Sequence, residues 1–521
     1  MNASKLEQLS SNPEVVSVEK PHQSYSPALY RQIGVSRPPL QVEDLPTPEE
    51  AFKIKRIGVQ EVILFILGPS LIALGISIGS GEWLSGPLAI SKYGFRGLGW
   101  VILVSAILQV FYNVELGRFT LATGEPPIVA FGRVPPGYIL WVPLALICLY
   151  MAFLLGSWAV SAGSSLVNLF TGRLYSTGEL ELVRILGIVL MVITFVIITI
   201  GRRIERTMEI IQGTLLFYIL IGLLLVTLVI VPISYWGQAL ASLVIPAPLP
   251  QGADLTVLGA LAGFTALASG LNFMFIGYYR DKGYGMGSRL GALNTLFSRK
   301  PDKLLTVGKI FPEDEKNAVR WRRWFRYLLI DQWGIYFLGA VAGILIPCIL
   351  VGYLSSIPDV PPPDQNTINI YASLQLRQRF GPLVSGWSLL VGFAIMFMTQ
   401  MVVLELLARN LTDAIYSLSA RVRRATKEDP RRLYYPLMAA LIVIIGIILH
   451  LSLPSQLTLV SANVANFAAM IFPLAMIYLN RKLPKPARIT WWSYLVLILN
   501  CLFFGFFFIN FLMSQGILPI P

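Results

Sequence analysis

The chain predicts an all-α polytopic membrane protein. About eleven transmembrane helices are expected, as two inverted halves of five with spans 1 and 6 interrupted and an eleventh span outside the repeat. Three observations predict this. Hydrophobic residues make up 55% of the 521 and charged residues only 13%, with mean hydropathy +0.67, a composition foreign to soluble domains of this size. Apolar stretches of about 20 residues recur, each able to cross ~30 Å of hydrocarbon. Two of these stretches, five spans apart, are broken in the middle by glycine and serine, which is the spacing of an inverted-topology repeat.

Residues 1–56 are polar and Pro-rich (PHQSYSPALY, SRPPLQVEDLPTPEE) and carry no signal-peptide pattern, so they read as a disordered cytosolic tail ahead of a membrane domain over 57–521. The expected spans are 59–91 (interrupted), 98–120, 138–167, 182–201, 209–232, 255–279 (interrupted), 328–354, 383–407, 433–453, 456–479 and 490–513. With the N-terminus inside, 28 of the 41 Lys and Arg fall at the inside loops, six on the outside and seven in the tail. That asymmetry predicts a cytosolic N-terminus and an outside C-terminus, and it accounts for the net charge of +13 without nucleic acid. The loop 280–327 is long and basic, and KNAVRWRRWFRY within it reads as an interfacial helix, with an anionic-lipid site as the sharper alternative.

Span 1 is broken at Gly79-Ser80-Gly81, and Glu82 follows at once. Glycines weaken a helix, and in lipid a broken helix survives only where its freed backbone groups line a cavity or a bound ion. A carboxylate at that depth is costly and marks a functional site, coordinating a cation or carrying a proton, unless it simply caps the second half-helix. Span 6 is broken at Ser269-Gly270, with Asn272 just after. Ser80, Ser269, Asn272 and the carbonyls near Gly79 and Gly270 offer neutral oxygens that suit hard cations, or they serve ordinary interhelical hydrogen bonding. Asn463 and Asn466, three apart in span 10, share one face and fit packing or ligation alike. Gln109 and Asn113 in span 2 read as packing residues, Glu115–Arg118 and Glu405–Arg409 as interfacial ion pairs, and Asp331 as a partner of the basic loop before it.

Other classes are excluded by what is missing. Cys148, Cys348 and Cys501 lie in apolar stretches and read as small core residues, while His22 and His450 have no neighbours at metal-ligand spacing. No Walker A sequence, nucleophile elbow or HExxH is present, so neither ATP drive nor an enzyme is expected.

The stretch 68–125, GPSLIALGISIGSGEWLSGPLAISKYGFRGLGWVILVSAILQVFYNVELGRFTLATGE, resembles the first two spans of the natural resistance-associated macrophage protein (Nramp) family, and it is most similar to the divergent bacterial Nramp-related proteins. YYRDKGYGMG at 278–287 is similar to the same group. The resemblance implies a LeuT-type fold in the bacterial inner membrane, proton-linked or passive movement of a divalent metal ion, and a site between spans 1 and 6. The family's Asp-Pro-Gly-Asn falls on Gly79-Ser80-Gly81-Glu82, and its Met-Pro-His falls on Gly270-Leu271-Asn272. The Asp, thioether and imidazole are therefore replaced. One carboxylate and neutral oxygens remain, a set suited to a hard, hydrated divalent cation of the Mg/Mn/Fe class. Glu82 and Asn272 are the expected metal ligands; Gly79, Ser80, Gly81, Ser269, Gly270, Asn463 and Asn466 are the expected remainder of the site. No resident cofactor is expected beyond the transported ion, with a proton as candidate coupling ion. A small organic solute as substrate, or a receptor or scaffold that no longer transports, are the competing expectations.

Overall fold

The computed structural model describes residues 68–79, 81–154, 158–173, 175–200, 204–287, 308, 310–358, 360–364, 367–451 and 454–518. The tail 1–56, residues 57–67 and Ser80 lie outside the described residues. Among the described residues every regular element is helical.

Among the described residues nine helices are long and apolar enough to cross a membrane: Gly99–Thr123 (span 2), Tyr138–Thr171 (span 3), Leu180–Thr199 (span 4), Ile204–Ile230 (span 5), Glu315–Ser355 (span 7 with its approach helix), Pro382–Leu418 (span 8), Arg431–His450 (span 9), Thr458–Asn480 (span 10) and Trp491–Ser514 (span 11). The two interrupted spans complete the eleven. Span 1 consists of Gly68–Ser77, then a wide π turn over Gly81–Ser85 that leads into Gly86–Tyr93. Span 6 consists of Leu255–Phe264 and Phe273–Asp281, separated by eight non-helical residues. A further helix, Ile368–Phe380, lies between spans 7 and 8.

Polarity decides which faces turn outward. Phe170, Phe217, Val229, Leu383 and Leu502 are exposed and form an apolar girdle of the kind lipid requires. The polar side chains of spans 1, 2, 6 and 10 (Ser77, Glu82, Gln109, Asn113, Ser269, Asn272, Asn463 and Asn466) are buried at the centre. The first half of span 1 packs on spans 5, 7 and 8; the first half of span 6 packs on spans 10 and 11.

Two expectations at the helix ends are corrected. Glu115–Arg118 and Glu405–Arg409 are buried, not interfacial. Arg118 forks onto Glu115 at 2.9 and 3.0 Å, and Asn480 and Ser493 donate to the same carboxylate at 2.8 and 2.7 Å, which joins span 2 to the end of span 10 and the start of span 11. Arg409 donates to Glu405 at 2.7 Å and also to Asp281, and Arg280 donates to Asp281 at 2.8 Å and to Asp413 at 3.2 Å. Among the described residues the Asp331 carboxylate accepts from the Tyr279 hydroxyl and its backbone carbonyl from Ser70 Oγ at 3.1 Å. The common reason is that bonded charge is cheaper to bury when several donors share each carboxylate.

Candidate functional site at the crossing of spans 1 and 6

Span 1 stops at Ser77 because the chain turns tightly there: Ile78 N still reaches Leu74 O at 2.8 Å, but Gly79 N turns back to Ser77 O, also at 2.8 Å. The helix restarts when Trp83 N donates to Gly79 O at 2.9 Å. Gly81 marks the crossing point. A Cβ added there would stand 2.0 Å from the carbonyl oxygen of Phe264, the last helical residue in the first half of span 6. Only glycine lets the two backbones approach this closely.

Glu82 is buried at this crossing, 1% exposed. Its Oε2 accepts from Gly79 N at 3.3 Å, and its Oε1 accepts from Ser77 Oγ at 3.4 Å and from the backbone N–H of Ala266 at 3.0 Å. One carboxylate thus holds the break of its own span and the break of span 6 together. Ala266 presents that N–H from a left-handed conformation, φ +67°, which a Cβ-bearing residue adopts only under constraint. The constraint is visible on both sides of the residue, because the Ala266 carbonyl accepts from the Tyr336 hydroxyl of span 7 at 2.6 Å.

Span 2 cages the rest of the break in span 6. Ser105 Oγ donates to Ala262 O at 2.7 Å, Gln109 Nε2 to Thr265 O, and Tyr112 OH to Gly270 O at 3.4 Å. The Asn272 amide lies 2.6 Å from that of Asn113 and 3.4 Å from that of Gln109. Among the described residues the hydrogen bonds of Asn272 go to span 2, not to Glu82. Gln109 and Asn113, expected as packing residues, hold the unwound segment by side chains four residues apart on one face.

Span 10 closes the opposite side. Ser269 Oγ donates to Asn466 Oδ1 at 3.4 Å, Asn466 Nδ2 donates to Gly259 O at 2.9 Å, and Asn463 Nδ2 donates to Leu459 O at 2.9 Å. Asn466 also donates to Asn463 Oδ1 at 3.3 Å. Gly270 lies hard against this span: a Cβ there would fall 1.9 Å from Ala469 N. The structure thus gathers Gly79, Gly81, Glu82, Ser269, Gly270 and Asn272 around one crossing and sets Asn463 and Asn466 behind span 6, bonded to its backbone.

The sequence reading missed Ala266 and Tyr336. Neither carries a signal in one dimension, since the group that matters at Ala266 is its backbone N–H. Among the described residues no group of three or more His, Cys, Asp and Glu side chains could hold a metal ion, so a cation here would meet one carboxylate and otherwise neutral oxygens. The carbonyls of Gly79 and Gly270 each accept one hydrogen bond and retain a second lone pair.

No protein-family model and no curated protein matches this sequence. Solved structures match its fold. A crystal structure of a mutant of the Eremococcus coleocola manganese transporter matches with 16% sequence identity and a TM-score of 0.52, over 92% of this chain and 93% of that one. A crystal structure of the same transporter in complex with an aromatic bis-isothiourea substituted compound matches with 15% identity and a TM-score of 0.51, over 90% of this chain and 91% of that one. At such identity the likeness concerns the fold: this chain has the all-α, LeuT-type architecture with broken first and sixth spans, and shares it with the manganese transporter along nearly its whole length.

Proposed function

We propose that this chain is a secondary transporter that carries a hard divalent metal cation, of the Mg/Mn class, across the cell membrane by alternating access. The reading rests on one observation above the others: the buried Glu82 carboxylate binds the breaks of spans 1 and 6 at once, through Gly79 N and Ala266 N. Oxygen donors without thiolate or imidazole favour hard cations, and the likeness of fold to a manganese transporter agrees with a metal substrate. The mechanism follows from the lone-pair count. A carboxylate has about four acceptor sites, and donors already use three of these. Two of the three donors share Oε1, so a cation that takes both carboxylate oxygens must displace a donor there; where that donor is Ala266 N–H, span 6 is released from span 1. Binding is thereby coupled to relative movement of the two broken helices, because the ligand favours the arrangement in which that bond is open. Asn272 joins the cation by giving up Asn113. The excess of Lys and Arg in alternate loops supports a cytosolic N-terminus and an outside C-terminus.

Uptake of Mg²⁺, Mn²⁺, Ca²⁺ and Cd²⁺ into proteoliposomes, measured in parallel on wild type and Glu82→Gln, tests this. Saturable uptake of Mg²⁺ or Mn²⁺ by the wild type, abolished in a Glu82→Gln protein that still melts cooperatively, is expected. Absence of flux for every metal from folded wild type would remove the metal and turn the search to small organic solutes.

A further inference from the structure

The basic helix ahead of span 7 has no part in the site described above, and its two faces differ sharply. Glu315–Leu329 begins with Asp314, whose carboxylate caps Asn317 N at 2.7 Å, and runs without interruption into span 7 as one helix, Glu315–Ser355. One face is buried. Trp321 stacks between Phe311 and Phe325, Trp324 lies against Tyr284, and a Cβ at Gly117 of span 2 would meet Leu328 at 2.7 Å.

The opposite face carries Val319, Arg322, Arg323, Arg326 and Ile330, all exposed. Steps of three and four continue this stripe through Gly334 to Leu338, which is 60% exposed and lies within the membrane-crossing length. The arginines therefore point the same way as residues that face lipid. At 1.5 Å per residue Arg326 stands about 6 Å above Ile330 and Arg323 about 10 Å. The headgroup layer of one leaflet is about 5–8 Å deep, and arginine stems span the remaining distance. A second marker puts the neighbouring loop at the same level: exposed Trp491 and Trp492, which stack at 3.8 Å, open span 11 three residues after exposed Arg488, and such residues concentrate at membrane interfaces. That loop packs on the helix, and Arg118 of span 2 bridges the two: it donates to Ala487 O at 3.3 Å and lies 4.4 Å over the Phe325 ring. Among the described residues Arg322, Arg323 and Arg326 make no ion pair.

We propose that the stripe Arg322, Arg323 and Arg326 is a docking surface for the phosphate headgroups of anionic phospholipids in the leaflet at the basic face of the protein. Guanidinium groups fork onto phosphate oxygens, and an acyl chain below each headgroup would lie along Ile330 and Leu338. An acidic protein would meet the arginines but not the apolar stripe that continues them, which is why lipid is the occupant.

The test uses the full chain in neutral detergent, with phosphatidylglycerol or phosphatidylcholine added and retained lipid counted by native mass spectrometry. Phosphatidylglycerol should be retained over phosphatidylcholine. Each arginine near an anionic surface contributes about fivefold, so Arg322→Gln/Arg323→Gln/Arg326→Gln should weaken retention up to about a hundredfold. The charge-preserving triple lysine variant should keep most of it, and Arg421→Gln/Arg424→Gln, at exposed arginines outside this stripe, should leave it unchanged. Equal retention of the two lipids, or unchanged phosphatidylglycerol retention in the triple glutamine variant, would overturn the proposal. So would displacement of the lipid by millimolar inorganic phosphate, which would make the stripe a free-anion site. If the triple variant does not fold, Arg323→Glu alone carries the same comparison.

Discussion

At Gly81 a single missing methyl group decides how close two helices come. A Cβ there would meet a backbone carbonyl, not the movable end of a side chain, so Gly81→Ala has no inexpensive relaxation. Overpacking of this kind costs about 1–3 kcal/mol, and a clear drop in the melting temperature of the detergent-solubilised protein is expected; an unchanged melt would mean that spans 1 and 6 do not cross this tightly. Tyr336 makes the complementary case. Its hydroxyl is the donor that holds Ala266 from behind at 2.6 Å, and Tyr336→Phe should cost about 1 kcal/mol of stability. It should also change metal uptake more than that loss alone would, because Ala266 N–H is the group Glu82 grips. Glu82 itself was legible in the sequence, since a carboxylate inside an apolar stretch stands out in one dimension. Its partner was not, because a backbone N–H is common to every residue except proline.

Among the elements, the second half of span 6 is tethered by buried charge. Arg280 and Asp281 at its end enter a buried chain of charge with Glu405, Arg409 and Asp413 of span 8, and the hydroxyls of Tyr278 and Tyr434 donate to Glu405 as well. Any movement of this half-helix away from span 8 must separate desolvated ions. Arg409→Met leaves Glu405 without its cation and Asp281 with Arg280 alone, and loss of one partner of a buried pair costs about 3–5 kcal/mol. Thermal unfolding of the variant measures this; a loss under 1 kcal/mol would mean that water reaches the cluster. The spacing of Glu405 and Arg409 gave the pair, but the helix boundary misplaced it at an interface. Span 8 runs on to Leu418, past the expected end at 407, so the pair sits inside the helix and inside the protein.

In the molecule as a whole helix Ile368–Phe380 packs beside the turn of span 1 at the crossing. Asn369 accepts from Trp83 Nε1 of span 1 at 2.9 Å and donates to Ser164 Oγ of span 3 at 2.9 Å, so one amide latches three elements. Cys348 is buried close behind, with its Sγ 3.0 Å from where a Cβ on Gly86 would be. In a chain lacking the other two cysteines, Asn369→Ala should speed labelling of Cys348 by a water-soluble maleimide several-fold; an unchanged rate would mean that this helix does not control access. The sequence alone determined the number of spans, the two places where they break and the charge asymmetry of the loops, because hydropathy, glycine content and loop charge act locally along the chain. Asn463 and Asn466 were legible as one face for the same reason, as helical spacing is local. Only the tertiary structure decided that Glu82 would bond to Ala266, that Asn272 would turn to Asn113 of span 2, and that Asn466 would be bonded to the backbone of span 6. In a low-dielectric interior each buried polar group must take whichever partner the packing brings within reach, and that choice is made between residues more than a hundred positions apart.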